Sequence, residues 1–214
     1  AGGGPGLPAL GNHKQRCCSG WLIASDRSTW RYEQTSLMAR ETKRVGIVGL
    51  GLIGGSLGLD LQANGWDVQG FVHRSVTAER AKERGLVSDV STDPACLDGC
   101  DLVILALPIP LLLHPEPSLL EALPAEAVIT DVGSVKQPVL EAWRDRHPRF
   151  VASHPMAGTA LAGVEAGIKG LFRGRPWIAT PDPKTDASAL AMVQSLALSL
   201  GSHWLTAAAA QHDQ

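Results

Sequence analysis

Short apolar runs of strand length recur along the chain from residue 44 onward, and segments of helical composition separate them. This alternation predicts a doubly wound α/β sheet, mostly parallel. The predicted strands are 44–49, 67–72, 101–108, 127–132, 149–153, 176–180 and 202–206, and the predicted helices are 52–65, 77–85, 119–123, 136–146 and 186–201. The run at 101–108 is apolar almost throughout, which is typical of a strand buried on both faces of a parallel sheet.

Residues 1–43 differ from the rest of the chain. They show no sustained period of ~2 or ~3.6 residues, and they open with the Gly- and Pro-rich stretch AGGGPGLPALGN. We expect a disordered leader, or an extension that is not native to the protein, since Met38 would make a natural start.

Composition and charge exclude several classes of partner. Lys and Arg number 19 against 21 Asp and Glu, with no basic stripe, so no nucleic-acid partner is expected. No apolar stretch approaches the ~20 residues of a membrane span. The four cysteines, at 17, 18, 96 and 100, form no zinc pattern and imply no disulfide framework. We therefore predict no metal site, no membrane partner and a cytoplasmic location.

Three glycines join the first predicted strand to the first predicted helix, in the stretch GLGLIG. Gly49 permits the tight turn, Gly51 lets a pyrophosphate approach the backbone, and Gly54 lets the helix pack closely on the strand. The helix start, with Leu52 and Ile53, presents free N–H groups to the phosphates. This predicts a dinucleotide site; the alternative is a turn whose glycines serve tight packing only.

The end of the second predicted strand indicates which dinucleotide binds. NAD sites usually place Asp or Glu there to bind the ribose diol, but this chain has VHRS and no acid before Glu79. His73 and Arg74 would attract a 2′-phosphate and Thr77 would add a hydroxyl, so we predict NADP, with NAD as the alternative. Arg74 would otherwise stack on adenine or face water.

Three segments follow predicted strands at their carboxyl ends, where ligands of open α/β sheets lie. Leu107 and Pro108 end one strand and are candidates to line a nicotinamide. The segments 131–136 (DVGSVK) and 154–159 (HPMAGT) follow the next two. Polar groups that converge from separate loops onto one crevice are what a catalytic site requires.

With GLGLIGGSLG, DVGSVK and HPMAGT in this order, residues 44–214 resemble the prephenate/arogenate dehydrogenase family of tyrosine biosynthesis, in particular its cyanobacterial type. The resemblance implies a Rossmann-like dinucleotide-binding domain at 44–206. It also implies oxidation at C4 of a cyclohexadienol ring, with hydride passing to the nicotinamide. The ring carboxylate leaves as carbon dioxide and the ring becomes aromatic.

The same resemblance implies catalytic roles for His154 and Ser134. His154 would accept the hydrogen bond of the ring 4-hydroxyl, which requires a neutral imidazole with a pKa below the working pH. Ser134 would hold the hydroxyl and the histidine in register, and Gly158 joins both in the predicted substrate-binding set. The alternative for His154 is a hydrogen-bonded histidine at a strand end. Lys136 is expected to cap the next helix, solvated or favouring an anionic ligand.

Other polar residues carry weaker expectations. Surface or packing roles are expected for His114, His147 and His203. Arg173 and Arg175 would meet a substrate carboxylate or face solvent, and the aromatics Phe172 and Trp177 are expected to pack under the last strands.

Arogenate is the predicted substrate, because Ala160 follows HPMAGT where some family members carry an acid and the cyanobacterial type a small residue. The family continues into a helical domain that forms the homodimer and supplies an arginine for the substrate carboxylate. We expect 207–214, with the pair His212-Asp213, to begin the linker to that domain. The chain would then be a fragment that binds NADP, turns over poorly or not at all, and is monomeric.

Three rival functions remain at this point. The first is a prephenate dehydrogenase that uses NAD or NADP. The second is a dehydrogenase of β-hydroxyacids or ketopantoate, which shares the fold but lacks HPMAGT after this strand. The third is a nucleotide-binding module without catalysis.

Overall fold

A computed structural model describes residues 1–3 and 43–214, so the leader predicted at 1–43 lies almost wholly outside the described residues. Six strands form a parallel sheet: β1 Arg44–Val48, β2 Asp67–Phe71, β3 Asp89–Ser91, β4 Leu102–Leu105, β5 Val128–Asp131 and β6 Phe150–Val151. Their order is β3-β2-β1-β4-β5-β6. The predicted doubly wound, mostly parallel sheet is confirmed, and its strand order reverses between β1 and β4.

Three further strands form a second, smaller sheet: β7 Ser153–Pro155, β8 Pro176–Ala179 and β9 His203–Thr206. In this sheet β7 is antiparallel to β8, and β8 is parallel to β9. The helices are α1 Leu52–Ala63, α2 Ser75–Glu83, α3 Ile109–Leu113, α4 Pro117–Ala122, α5 Gln137–Trp143, α6 Ala187–Ser199 and α7 Ala209–His212. Within the described residues, no helix has the length and apolar character needed to cross a membrane.

The pleat of the central strands divides the core into two layers. On β4, Leu102 and Ile104 join one buried cluster, whereas Val103 and Leu105 join the other. Helices α1 and α6 contribute to the first cluster and α5 to the second. The apolar run at 101–108 is explained in this way, because successive side chains of a strand point to opposite faces and both faces are covered.

The strand predicted at 149–153 is divided between the two sheets. After β6 the chain leaves the parallel sheet at Ala152, because Asp131 at the end of β5 accepts hydrogen bonds from Ser153. The Ser153 N–H donates to Asp131 Oδ1 at 3.2 Å, and the Ser153 hydroxyl to the Asp131 carbonyl at 3.0 Å. His154 consequently lies inside β7, paired with Ile178 of β8, and not in a loop after a strand as predicted.

Candidate active site

Two adjoining cavities lie beyond the carboxyl ends of β1 and β4. The outer cavity, about 460 Å³, is lined by His73, Arg74, Thr77 and Glu165, among others. The inner cavity, about 570 Å³, lies on the side of Ser134 and His154. Both share the wall formed by Gly49, Gly51, His73, Leu107, Ala162 and Gly163. The crevice is therefore where the change of strand direction places ligands of such sheets.

The glycine loop has the geometry expected of a dinucleotide site. Gly49 has φ +93°, and a Cβ there would come within 2.5 Å of the Ala106 carbonyl oxygen. A Cβ on Gly54 would lie 1.9 Å from the Gly49 carbonyl oxygen, so α1 could not approach the loop so closely. Gly51 meets nothing within 4 Å and begins α1 without a side-chain cap. The N–H groups of the first helical turn are thus left for a ligand.

All the other residues predicted for the cofactor line the crevice. Arg74 and Thr77 face the outer cavity, and Leu52, Ile53, Gly54 and Pro108 face the inner one. Arg74 is exposed at the start of α2. His73 lies 3.9 Å from the Glu116 carboxylate, measured from Nδ1 to Oε2.

Sequence reasoning missed the segment 161–165, which forms a wall of the crevice. Glu165 lines the outer cavity, but its carboxylate is hydrogen-bonded by Arg80 (Nη2 to Oε2, 3.1 Å). The Arg80 hydrogen bond lowers the pKa of Glu165. Arg84 donates to the carbonyls of Val164 and Gly167, the latter at 2.9 Å. The wall is thereby attached to α2, the helix that begins at the predicted 2′-phosphate site.

Ser134 and His154 line the same cavity as the glycine loop. The His154 pKa is lowered to about 4, first by burial and then by the nearby Lys136 and His212. The imidazole is therefore neutral at physiological pH, which is the state that a proton acceptor requires. Gly158, predicted for substrate, is exposed and does not line this cavity.

Lys136 lies at the N-cap position of α5, as predicted, but the prediction of a solvated or anion-binding side chain is wrong. Its side chain is fully buried and forms an ion pair with the equally buried Asp131, and Nζ also donates to the Ser153 carbonyl at 2.8 Å. Burial raises the pKa of Asp131 and lowers that of Lys136, and the contact between the two opposes both shifts. Asp131 Oδ2 accepts the Gly133 N–H at 2.8 Å. The pair thus joins the loop that carries Ser134 to the strand that carries His154.

A second missed pair, His212 and Asp213, contacts the catalytic candidate directly. His154 Nδ1 lies 3.0 Å from His212 Nε2, and His212 Nδ1 lies 2.8 Å from Asp213 Oδ1. Both residues stand at the end of α7, in the segment predicted as a linker. The adjacent histidine and aspartate were the sequence signal, but nothing in their spacing showed that they would return to His154.

The remaining expectations concern packing. His147 is buried with Nε2 3.2 Å from the Pro124 carbonyl, while His114 and His203 are exposed. Phe172 and Trp177 are buried against each other, as predicted, with ring centroids 5.7 Å apart. Arg173 and Arg175 line neither cavity of the crevice.

The strand order, the glycine loop at the reversal and the crevice beside it define a Rossmann-like dinucleotide-binding domain. A family model described as "Prephenate dehydrogenase, nucleotide-binding domain" matches residues 57–206. The chain belongs to the prephenate dehydrogenase family, and the resemblance noted in the sequence is confirmed. The matched residues begin after the glycine loop, so the loop is separate evidence for a nucleotide-binding domain.

Individual relatives agree with the family. Cyclohexadienyl dehydrogenase of Zymomonas mobilis is 33% identical over 176 residues, covering 80% of this chain and 60% of the relative. The crystal structure of Synechocystis arogenate dehydrogenase is 35% identical with a TM-score of 0.72, covering 79% of this chain and 61% of that one. Prephenate dehydrogenase from A. aeolicus, in complex with hydroxyphenyl propionate and NAD+, is 28% identical with a TM-score of 0.75, covering 81% and 63%. This chain therefore spans about three fifths of these relatives.

Proposed function

We propose that this chain is the cofactor-binding part of an NADP-dependent dehydrogenase that converts arogenate to tyrosine by oxidative decarboxylation. The observation that carries the proposal is the cavity shared by the neutral His154, Ser134 and the glycine loop. The names of the relatives support a cyclohexadienol substrate, because they include a cyclohexadienyl, an arogenate and a prephenate dehydrogenase.

The residues of the crevice fit a dinucleotide. Backbone N–H groups at Gly51 and the first turn of α1 would hold the pyrophosphate, and Leu107 with Pro108 would offer an apolar wall to the nicotinamide. Once bound, the nicotinamide supplies the hydride acceptor. The fit rests on the space beside Gly51, which no protein atom fills within 4 Å of a Cβ position.

His154 and Ser134 would assist the removal of the proton from the ring hydroxyl. As hydride leaves C4, the carbinol oxygen becomes a carbonyl and its proton must pass to a base. The neutral imidazole of His154 accepts that proton, and the Ser134 hydroxyl orients the substrate oxygen beside it. Aromatisation drives the loss of carbon dioxide, so the protein needs no further group to stabilise a carbanion.

The preference for NADP follows from the charges of the outer cavity. The end of β2 carries His73 and Arg74 and no carboxylate. Glu165 is the acid that lines the outer cavity, and its charge is compensated by Arg80 and Arg84. A 2′-phosphate would therefore meet the Arg74 guanidinium, which is a charge-assisted contact.

Substrate and assembly belong to the same proposal. The small Ala160 beside the HPMAGT segment supports arogenate, with prephenate as the alternative. A helical domain following residues 44–206 would form the homodimer and supply a cation for the substrate carboxylate, with 207–214 as the connection. This 214-residue chain would then bind NADP as a monomer and turn over poorly.

One assay tests the proposal. The near-ultraviolet absorbance of reduced nicotinamide is followed with arogenate or prephenate as substrate and with NADP+ or NAD+ as cofactor. The same protein is titrated with NADPH and NADH by fluorescence. We expect tighter binding of NADPH and faster reduction with arogenate. Tighter binding of NADH, or turnover with prephenate alone, would contradict the cofactor or the substrate assignment respectively.

A further inference from the structure

A chain of hydrogen bonds leads from the inner cavity to the first turn of α5. It starts at His154, passes through His212 and ends at Asp213. The Asp213 carboxylate accepts the backbone N–H of Lys136 at 2.7 Å and that of Gln137 at 2.9 Å. The His212 side chain is 5% exposed and that of Asp213 is 21% exposed. These groups are therefore held by the fold and are not a chance surface contact.

The Asp213 carboxylate determines which ring nitrogens of His212 and His154 carry a proton. Partial burial opposes ionisation of Asp213, but the hydrogen bonds from His212, Lys136 and Gln137 outweigh it and lower the Asp213 pKa. An ionised carboxylate only accepts, so His212 Nδ1 must carry a proton. In a neutral ring His212 Nε2 then has a lone pair, and it accepts the proton of His154 Nδ1.

We propose that His212 and Asp213 are positioning residues that hold His154 in the tautomer with its proton on Nδ1, so that Nε2 keeps the lone pair that accepts the substrate proton. The role of Nε2 as acceptor of the substrate proton rests on the proposed function. The tautomer itself rests on the hydrogen bonds among His154, His212 and Asp213. A neutral imidazole can carry its proton on either ring nitrogen, and a His154 with its proton on Nε2 would have no lone pair there to accept the substrate proton.

A different charge state would reverse the assignment. A doubly protonated His212 would donate from Nε2 to His154 Nδ1, and His154 would then carry its proton on Nε2 and could not act as a base. Burial and the nearby Lys136 ammonium lower the pKa of His154, so a cationic His154 is disfavoured in either arrangement. The two arrangements therefore differ in an observable, the ring nitrogen that carries the proton.

The test is a nitrogen-15 NMR experiment on this 214-residue chain with labelled histidine, at about pH 8. Long-range correlations between ring nitrogens and carbon-bound protons identify the tautomer of each histidine. We expect the Nδ1–H form for both His154 and His212, with the exposed His114 and His203 as internal references. A His154 ring in the Nε2–H form, or a doubly protonated His212, would overturn the proposal.

Two variants of one position separate positioning from packing. His212→Gln keeps an amide oxygen that can accept from His154, whereas His212→Phe keeps a ring and removes the acceptor. We expect His212→Gln to retain the Nδ1–H form of His154 and most of the turnover. His212→Phe should give a mixture of tautomers and lower kcat by about tenfold or more, with NADPH affinity unchanged. Equal effects of the two variants, or no effect of His212→Phe on the tautomer, would refute the role.

The outcomes also separate this inference from the proposed function. Absence of NADPH binding by the unaltered chain counts against the proposed function, while its tautomer spectrum still decides the positioning claim. If His212→Phe fails to fold, as judged by loss of dispersed amide resonances, the spectra of the unaltered chain and of His212→Gln decide it.

Discussion

The charged groups close to the two cavities of the crevice differ in their exposure to solvent. In the outer cavity Arg74 is exposed, and the side chains of the Arg80–Glu165 pair are 46% and 60% exposed. Beneath the inner cavity the Asp131–Lys136 pair has no exposure. Solvent screens charges of the first kind, so each contributes little and can be exchanged alone. Buried groups depend on one another, and removal of one leaves its partner uncompensated.

Replacement of Lys136 by methionine should give the largest effect, a loss of folding stability. The variant Lys136→Met leaves the Asp131 carboxyl buried without its cation. The free energy of unfolding should fall by about 3–5 kcal/mol, as for other broken buried pairs. Lys184→Met is the matched control, because Lys184 forms an exposed ion pair with Asp145 (3.2 Å). Denaturant titrations that gave both variants the same loss would show that burial does not distinguish the two regions.

The next effect concerns turnover. In a full-length enzyme that includes the proposed helical domain, His154→Asn removes the proton acceptor of the inner cavity and should lower kcat for arogenate by about 10² or more. Binding of NADPH should stay within about twofold, since the outer cavity is unaltered. His203→Asn, in exposed β9, is the control and should leave both quantities unchanged. Unaltered turnover of His154→Asn would show that the imidazole is not the proton acceptor.

A pH effect on stability should follow from the same imidazole. Its pKa in the folded chain is about 4, below the ordinary value of 6.5. As the pH falls below about 6.5, His154 becomes protonated in the unfolded chain but stays neutral in the folded chain until the pH approaches 4. His154 should therefore subtract about 2 kcal/mol from the free energy of unfolding between about pH 6.5 and pH 5.

The difference between the unaltered chain and His154→Asn isolates this contribution, because His147 and the carboxylates remain in both. Urea titrations at the two pH values measure it. A parallel decline in both proteins would show that His154 is not shielded from protons when the chain is folded.

The smallest effect belongs to the outer cavity. Arg74→Gln should weaken NADPH binding by about tenfold, corresponding to about 1.4 kcal/mol for a partly screened charge-assisted contact. Affinity for NADH should hardly change, because NADH has no 2′-phosphate. Lys82→Gln, an exposed cation on the same helix outside the cavity lining, controls for the general charge. Equal losses for both cofactors would assign Arg74 to adenine stacking.

Sequence reasoning succeeded where a local signal determines the structure. The turn at Gly49 requires a positive φ, and the approach of α1 requires Gly54 to lack a side chain, so both glycines are visible in a short stretch. The continuous apolar run of β4 likewise reports its burial on two faces. These features need no knowledge of distant residues.

Other features depend on contacts between distant residues. A lysine is rarely buried, so nothing about Lys136 itself predicts full burial; the cause is the pocket that Asp131 and the Ser153 carbonyl provide. The end of β6 depends on the same aspartate, which diverts Ser153 from the sheet. His212 approaches His154 from 58 residues along the chain. Such pairs have no periodic pattern, and only the folded chain brings them together.

The division between β6 and β7 has a consequence for insertions and deletions. Ser153 and His154 occupy successive positions of one strand, with the serine hydroxyl accepting the Trp177 indole N–H at 3.0 Å and the imidazole at the crevice. Adding or deleting a single residue here would exchange which of the two meets the substrate. Descendants of this gene can therefore vary the length of the exposed stretch after Gly158 far more freely than that of the segment 152–153, which precedes His154.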